Sequence, residues 1–497
     1  ALAWVALRGA ASPPPRVSEE GLERLSPWRV AAWLGLAGLG TVLLGATSNV
    51  LCQDVSAGPL LWALPLGVYL VSFILPFEHP RWDKPTLWLS LFAAGALVNT
   101  AALEDGNYGL GALLGAHLLL QLGSSLFVHG ALFRLRPGTE HLGTYYLVLS
   151  AGGALGSLAV SLGGPLLLDD FWEFPAVLCA VGLMGVLHLA RRPDDMRSPV
   201  FAGRLVVAIS LLLSVLVLAG SWVGAGGRAH ERARMRNFFG VLHVAELDAQ
   251  TDNHRVSLYH GETIHGLQLR VPGKEAEPLS YYGRGSGLGA SIRLLREKTP
   301  ALDTLMLGLG VGTSAALLEA GDEATFYEID PNVVRLARGE GGHFDVLDRV
   351  KARVTLREGD ARALLEQDLA AGLRPKDLVA VDVFSGDAIP VHLFTAEAMA
   401  LYARALKPDG LLLLHVSNRH LDLSRVAFPL LEELGLHAAK VVSPRDGWAY
   451  LAVWVVASRD KALVDAVAKR TWVDVAYGTE QPHRWTDDRS SLVDVWR

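Results

Sequence analysis

The chain has 497 residues and a net charge of −6, with 51% of its residues apolar and 19% charged. That balance leans toward a membrane protein of two or three domains, and the lack of a basic stripe excludes a nucleic-acid partner. The two cysteines, Cys52 and Cys179, both fall in apolar segments, which excludes a disulfide framework, a thiolate zinc site and an iron–sulfur cluster.

In chain order, the opening run ALAWVALRGAASPPPR reads either as the tail of a further hydrophobic helix or as a polar-flanked leader. Seven apolar stretches come next, at 28–51, 59–77, 85–103, 110–133, 142–168, 174–190 and 201–223. Each approaches the roughly 20 residues needed to cross about 30 Å of hydrocarbon. Glycine-rich runs such as SAGGALGSLAVSLGG let helix backbones approach closely, so a packed bundle is expected. His117 and Gln121 lie four apart on one helical face and are expected to hydrogen-bond between helices.

Loop charges alternate. Arg24, Arg29, Arg81, Lys84, Arg134, Arg136, Arg191, Arg192 and Arg197 occupy every second connection, while CQDVSAG, EDGNYG and LDDFWEFP carry no Lys or Arg. The positive-inside rule places the basic loops in the cytoplasm. Seven spans then leave everything after Val223 outside, whereas the basic run GRAHERARMR just after the last span pulls inward. The expected location is a bacterial inner (plasma) membrane, with the side of the soluble part open.

From Arg228 the composition turns soluble. FFGVLHVAEL and HRVSLYHGETIHGLQLRV are β-rich, joined by the turn-like DAQTDN. From Asp303 strands and helices alternate: TLMLGLG strand, SAALLEAG helix, ATFYEID strand, PNVVRLARG helix, then the strands RVTLREGD and LVAVDVF. This spacing predicts a doubly wound, mostly parallel Rossmann-like sheet. The domains expected are 1–225 membrane helices, 226–298 small β domain and 299–497 α/β domain.

Ligands of such sheets sit at the carboxyl ends of the strands. Gly308, Gly310 and Gly312 form a turn there, and Glu328 ends the next strand, where an acid can hold ribose hydroxyls. The spacing G-x-G-x-G favours an adenosyl ligand over a dinucleotide. Asp360 and Ala361 in EGDAR fall where the adenine edge belongs. Asp382 tips the fourth strand, placed to take a proton from a nucleophile. His260 and His265 are five apart, on opposite faces of an extended strand, with no third ligand nearby, so no metal is expected. The tail HRWTDDRSSLVDVW reads as a lid or as a terminal surface segment.

These motifs resemble the spermidine/spermine synthase family, the aminopropyltransferases, over about 236–418. They are most similar to its membrane-embedded branch, in His260 to Gln268, Tyr281–Tyr282, His415 to Asn418 and Thr486 to Asp488. The resemblance implies a donor of decarboxylated S-adenosylmethionine and transfer of an aminopropyl group to an amine, releasing methylthioadenosine. It implies that Asp382 activates the amine and that Tyr259 gates and orients it. His260, His265, Gln268, Tyr282, Asp387, Asp487 and Asp488 are the remaining acceptor-side candidates. Two departures stand out: Val311 replaces the aspartate that grips the donor's terminal amine, and the second acid of the catalytic loop is lost or moved to Asp387. The alternatives are therefore a methyltransferase using intact S-adenosylmethionine, and a non-catalytic nucleoside sensor on a transporter-like bundle. Expected partners are the lipid bilayer and a small-molecule amine or amphiphilic acceptor, with a homo-oligomer left open.

Overall fold

The computed structural model describes residues 25–54, 59–105, 110–190, 230–261, 263–384, 390–418, 421–443, 445–471, 473–479 and 481–496, with scattered positions between 207 and 220. Asp387, an acceptor-side candidate, lies outside the described residues, as does most of the seventh apolar stretch.

The first half is a helical bundle: α1 (Pro27–Asp54), α2 (Pro59–Glu78), α3 (Pro85–Asp105), α4 (Leu110–Arg134), α5 (Leu142–Leu158) and α6 (Glu173–Ala190). A π turn (Ala159–Gly163) carries α5 on into Gly164–Leu167. Helix α1 crosses α5 so closely that a Cβ on Gly152 would overlap the Leu34 carbonyl oxygen, which is why a small residue stands there. Buried amides are tied between helices: Asn99 to the His117 ring (2.9 Å), and Gln121 Nε2 to the Pro65 carbonyl (3.0 Å). Three segments, Pro27–Cys52, Leu114–Arg134 and Thr139–Leu167, are long and apolar enough to cross a membrane. The apolar parts of α2, α3 and α6 are shorter. Among the described residues the expectation of seven spans thus reduces to three helices of qualifying length.

The second half begins with an antiparallel meander, β1 (Glu231–Asn237), β2 (Gly240–Leu247), β3 (Arg255–His260) and β4 (Thr263–Leu269). Helix α7 (Gly287–Arg296) leads into the main sheet. Its strands are β5 (Asp303–Leu307), β6 (Glu323–Glu328), β7 (Arg353–Glu358), β8 (Lys376–Val381), β9 (Leu406–His415), β10 (His437–Ser443), β11 (Ala452–Ser458) and β12 (Val473–Ala476). The spatial order is β12-β10-β11-β9-β8-β5-β6-β7. Strands β9, β8, β5, β6 and β7 are mutually parallel, and β11 runs against β9 and β10. The chain moves outward from β5 to β7, then restarts with β8 on the other side of β5. That reversal opens a crevice at the carboxyl ends of β5 and β8. Helices α8 (Pro331–Ala337), α9 (Ala361–Ala370), α10 (Ala396–Ala405), α11 (Ser424–Glu433) and α12 (Lys461–Arg470) cover the sheet. Covered faces explain the unbroken Val and Leu runs of β8 and β9, whose central residues are fully buried.

Two sequence expectations need correction here. The helix expected after the glycine turn is only a 3₁₀ turn, Thr313–Leu317. It stops because Asp322 takes up the Glu319 and Leu302 N–H groups and the Arg296 guanidinium, pinning the chain for β6. Helix α7, placed by sequence with the β domain, packs on the main sheet, where Leu288, Ile292 and Leu295 share one core with Met306 and Trp454. Leu242, Val244, Val256 and Leu258 join that core, so the meander and the sheet are packed as one body.

Candidate active site

The crevice is a cavity of about 290 Å³ lined by Gly308, Gly310, Glu328, Asp360, Ala361 and Asp382, with Phe239, His260, His265, Tyr282, Asp330 and His392. That is near the lower end of small-molecule sites, roughly 300 Å³. The glycines are demanded by the protein's own backbone. Gly308 has φ +97°, and a Cβ on it would overlap the Asp382 carbonyl oxygen. Gly310 has φ +55°, with the His265 carbonyl in the same relation. Gly312, also in the left-handed region, turns toward Leu347 and does not line the cavity.

Glu328 ends β6. Its Oε2 accepts the Leu309 N–H (3.0 Å) and its Oε1 the Asp330 N–H (2.9 Å), so the acid also fixes the glycine turn. Burial pushes its carboxyl above the usual carboxylate range, and these backbone bonds offset part of that. Asp360 caps α9 through the Ala363 N–H (2.9 Å) and lies 3.0 Å from His392 Nε2. Burial opposes its charge, but the cap and His392 outweigh burial and lower its pKa. Asp330 accepts from Asn237 Nδ2 (2.6 Å) and caps α8 through the Asn332 N–H (2.8 Å).

At the other end, Asp382 comes directly after β8. His415 Nδ1, at the end of neighbouring β9, lies 2.7 Å from its Oδ1, and the Tyr282 hydroxyl donates to its Oδ2. A carboxylate only accepts, so both partners present protons to it. Burial raises the Asp382 pKa, but His415 and Tyr282 overcome that, and the carboxyl stays below its ordinary value. Burial, reinforced by Asp382, lifts the Tyr282 hydroxyl far above its ordinary value. His415 is stacked on Trp454 (4.5 Å between ring centroids), which holds the ring in place. Facing this group, burial depresses His265 to about 4 and His260 to about 3, so both are neutral at physiological pH. His265 Nε2 is buried in the cleft wall without a hydrogen-bond partner.

Several sequence-named residues lie elsewhere. Tyr259 does not line the cavity; its ring stacks on His243 at 4.8 Å, while its neighbour His260 takes the cleft side. Gln268 is buried and committed to the Glu275 carbonyl (3.0 Å) and to the Asp345 N–H (3.0 Å) and carboxylate. Asp487 grips Arg362 with both oxygens (2.7 and 2.6 Å) and accepts from Thr395 (2.8 Å), which holds its pKa at about 2. Asp488 is exposed and away from the cavity. The tail is thus a strap outside α9 and α10, anchored by buried Trp485, whose carbonyl accepts the Ala396 N–H (2.9 Å). Sequence reasoning gave no role to Phe239, Asp330 or His392, and named His415 only as the first residue of the motif His415 to Asn418, without a role. Of these, His415 had a usable signal, since it ends the strand that must pair with β8.

No family model matches the chain. A curated relative, the N-terminal histidine N-methyltransferase of Emericella nidulans, is 35% identical over 119 residues, 23% of this chain and 20% of that protein. The chain thus spans about a fifth of that relative's length. Among solved structures, a probable spermidine synthase from Corynebacterium glutamicum matches at 20% identity and a TM-score of 0.40, over 53% of this chain and 97% of that one. An O-methyltransferase from Bacillus cereus in complex with SAH matches at 18% identity and a TM-score of 0.26, over 34% and 79% respectively.

Proposed function

We propose that the chain is a transferase whose donor is S-adenosylmethionine, built on a membrane-embedded helical half. The observation that carries this reading is a cleft with Glu328 at its centre and the Tyr282–Asp382–His415 group beside Gly308 at one end. Glu328 is placed to hold the ribose; Asp360, Ala361 and Leu393 flank the adenine side. When bound, the donor supplies an electrophilic carbon attached to sulfonium. Asp382, kept ionised by two proton donors, attracts an incoming nucleophile and takes up the proton it releases. The neutral His260 and His265 add hydrogen-bonding capacity on the acceptor side without adding charge.

Methyl transfer is the better-supported chemistry. Val311 is fully buried and packed against Gly266 of β4, so no carboxylate stands in the glycine turn for the lone ammonium of a decarboxylated donor. Intact S-adenosylmethionine carries its own carboxylate beside that ammonium and needs less compensation. The curated relative's name, a histidine N-methyltransferase, agrees with this chemistry. Aminopropyl transfer is the second reading, favoured by the sequence resemblance across 236–418. Incubating the full chain in nanodiscs with each donor and a panel of nucleophiles separates them. Adenosylhomocysteine is expected; methylthioadenosine from the decarboxylated donor would select the second reading, and neither nucleoside would refute both.

A further inference from the structure

The hairpin between β1 and β2 touches both halves of the molecule. Arg236 is buried against the bundle: its guanidinium bonds both oxygens of Glu173 (2.8 and 2.7 Å) and the Asp170 carbonyl (2.7 Å), and lies 4.4 Å from the Phe171 ring centroid. Glu173 opens apolar helix α6, and the chain just before this loop exposes Leu166 and Leu167. Val241, on the return strand, sinks into the core of the same bundle. Between these anchors the hairpin serves the cleft: Asn237 holds Asp330, and Phe239 is part of the wall. At about 3.3 Å per residue, Arg236 and Phe239 are at most roughly 10 Å apart. The cleft wall therefore begins three residues along the chain from a side-chain contact with the first turn of an apolar helix.

The rim is apolar where an aqueous substrate would gain nothing from it. Of the lining residues, Phe239 is 39% exposed and Ile329 42%, and Phe238, next to Phe239 in the chain, is 63% exposed. Exposed apolar rings beside a membrane domain fit burial at the headgroup–acyl boundary of a bilayer, as the apolar faces of interfacial segments do. The charge pattern agrees. Among the described lining residues the acids at the donor end are Glu328, Asp330 and Asp360, and the acceptor end has Asp382 with neutral His260 and His265. Among the described residues one carboxylate stands at the acceptor end, which suits a single nucleophilic head group.

We propose that the donor cleft opens at the bilayer surface, and that the acceptor is a membrane-resident amphiphile whose head group enters past Phe238 and Phe239. This rests on the reading of the chain as a transferase. In the reaction, the acceptor heteroatom forms the new bond to carbon, the carbon–sulfur bond breaks with its electron pair on sulfur, and the acceptor proton passes to Asp382.

Two measurements test it. Native membranes carrying the full chain are incubated with methyl-labelled donor and then extracted with organic solvent. Label in the organic phase, abolished by Asp382→Asn, is expected. Label confined to small molecules in the aqueous phase overturns the membrane-acceptor proposal and leaves the transferase reading standing. No labelled product in either phase, from this donor or from decarboxylated donor labelled in its aminopropyl chain, with donor still binding, overturns the transferase reading itself. In parallel, Phe238→Cys in a Cys52→Ala/Cys179→Ala background carries an environment-sensitive fluorophore in nanodiscs. Quenching by lipids spin-labelled near the head group is expected, and its absence in protein that still binds donor overturns the placement of the rim.

Discussion

Replacing Asp382 by Asn keeps the side chain's shape and removes its charge. The hydrogen bonds around it set the outcome, because Asp382 accepts two protons, one from Tyr282 and one from His415 Nδ1. An amide offers one accepting oxygen and one donating nitrogen, so one partner must reverse its polarity. Tyr282 can still donate to the oxygen; His415 must then accept at Nδ1, and a neutral ring carries its proton on Nε2. That nitrogen is buried with no partner, so the substitution orphans a buried donor. Such a group costs about 1–3 kcal/mol, which should appear as a lowered thermal transition of the purified protein. Loss of a proton acceptor at the reacting end lowers turnover by about 10²–10⁴, or about 2.7–5.4 kcal/mol of barrier. Glu328 and the glycine turn are untouched, so donor affinity measured by calorimetry should stay within a few-fold of wild type. Turnover within tenfold of wild type would refute the role given to Asp382, and loss of donor binding would show that the residue holds the donor.

Arg236→Ala leaves Glu173 charged and buried at the junction of the two halves, an expected loss of about 3–5 kcal/mol visible in thermal denaturation in detergent; Arg236→Met with Glu173→Gln should recover most of it, and a loss below about 1 kcal/mol would contradict the buried pairing. On acidification, a histidine whose folded pKa is depressed binds its proton in the unfolded chain first. Stability should therefore fall from about pH 6.5 downward, by up to about 3 kcal/mol at pH 4 for His265 alone, and a thermal transition unchanged between pH 7.5 and 4.5 would contradict this. Asp382, depressed below its ordinary value, adds a loss at still lower pH, as the medium passes through its folded pKa. Because His260 and His265 stay neutral, kcat/KM should show no inflection from them near pH 6.5. The loop at 168–172 and the loop bearing Asp83, which pairs with Arg134, lie at opposite ends of the bundle. Asp169→Cys and Asp83→Cys should therefore label from opposite faces of sealed vesicles, with protease reaching the soluble half from the Asp169 side. The charge rule makes that side the outer one, whereas a cytosolic adenosyl donor requires the inner one, and the side from which protease reaches the soluble half decides between them.

Much of the cleft lining could be read from sequence because each part sits at the end of a parallel strand. Position there depends only on strand order, so Gly308, Glu328, Asp360 and Asp382 were found by counting strands. The acceptor side depends on details that periodicity does not carry. The pairing of β3 with β4 shifts register between Leu258 and Tyr259, so alternation cannot say which of Tyr259 and His260 faces the cleft. Gln268 and Asp487 look like available polar groups until their partners are known. Those partners, Asp345 and Arg362, lie far along the chain. The short 3₁₀ turn after Gly312 was hidden because SAALLEAG has good helix formers, while the constraint that ends it comes from Arg296 and Leu302. In the bundle, composition located the apolar stretches but not that Arg236 would lock onto the loop before α6.

The contact between Gly308 and the Asp382 carbonyl leaves no room for even a methyl group. Any side chain at position 308 would wedge apart the ends of β5 and β8. Their spacing is therefore inherited as one rigid module, closed to gradual adjustment. A descendant of this protein whose crevice took a different ligand would have to change the hairpin and meander beside it, leaving that floor as it is.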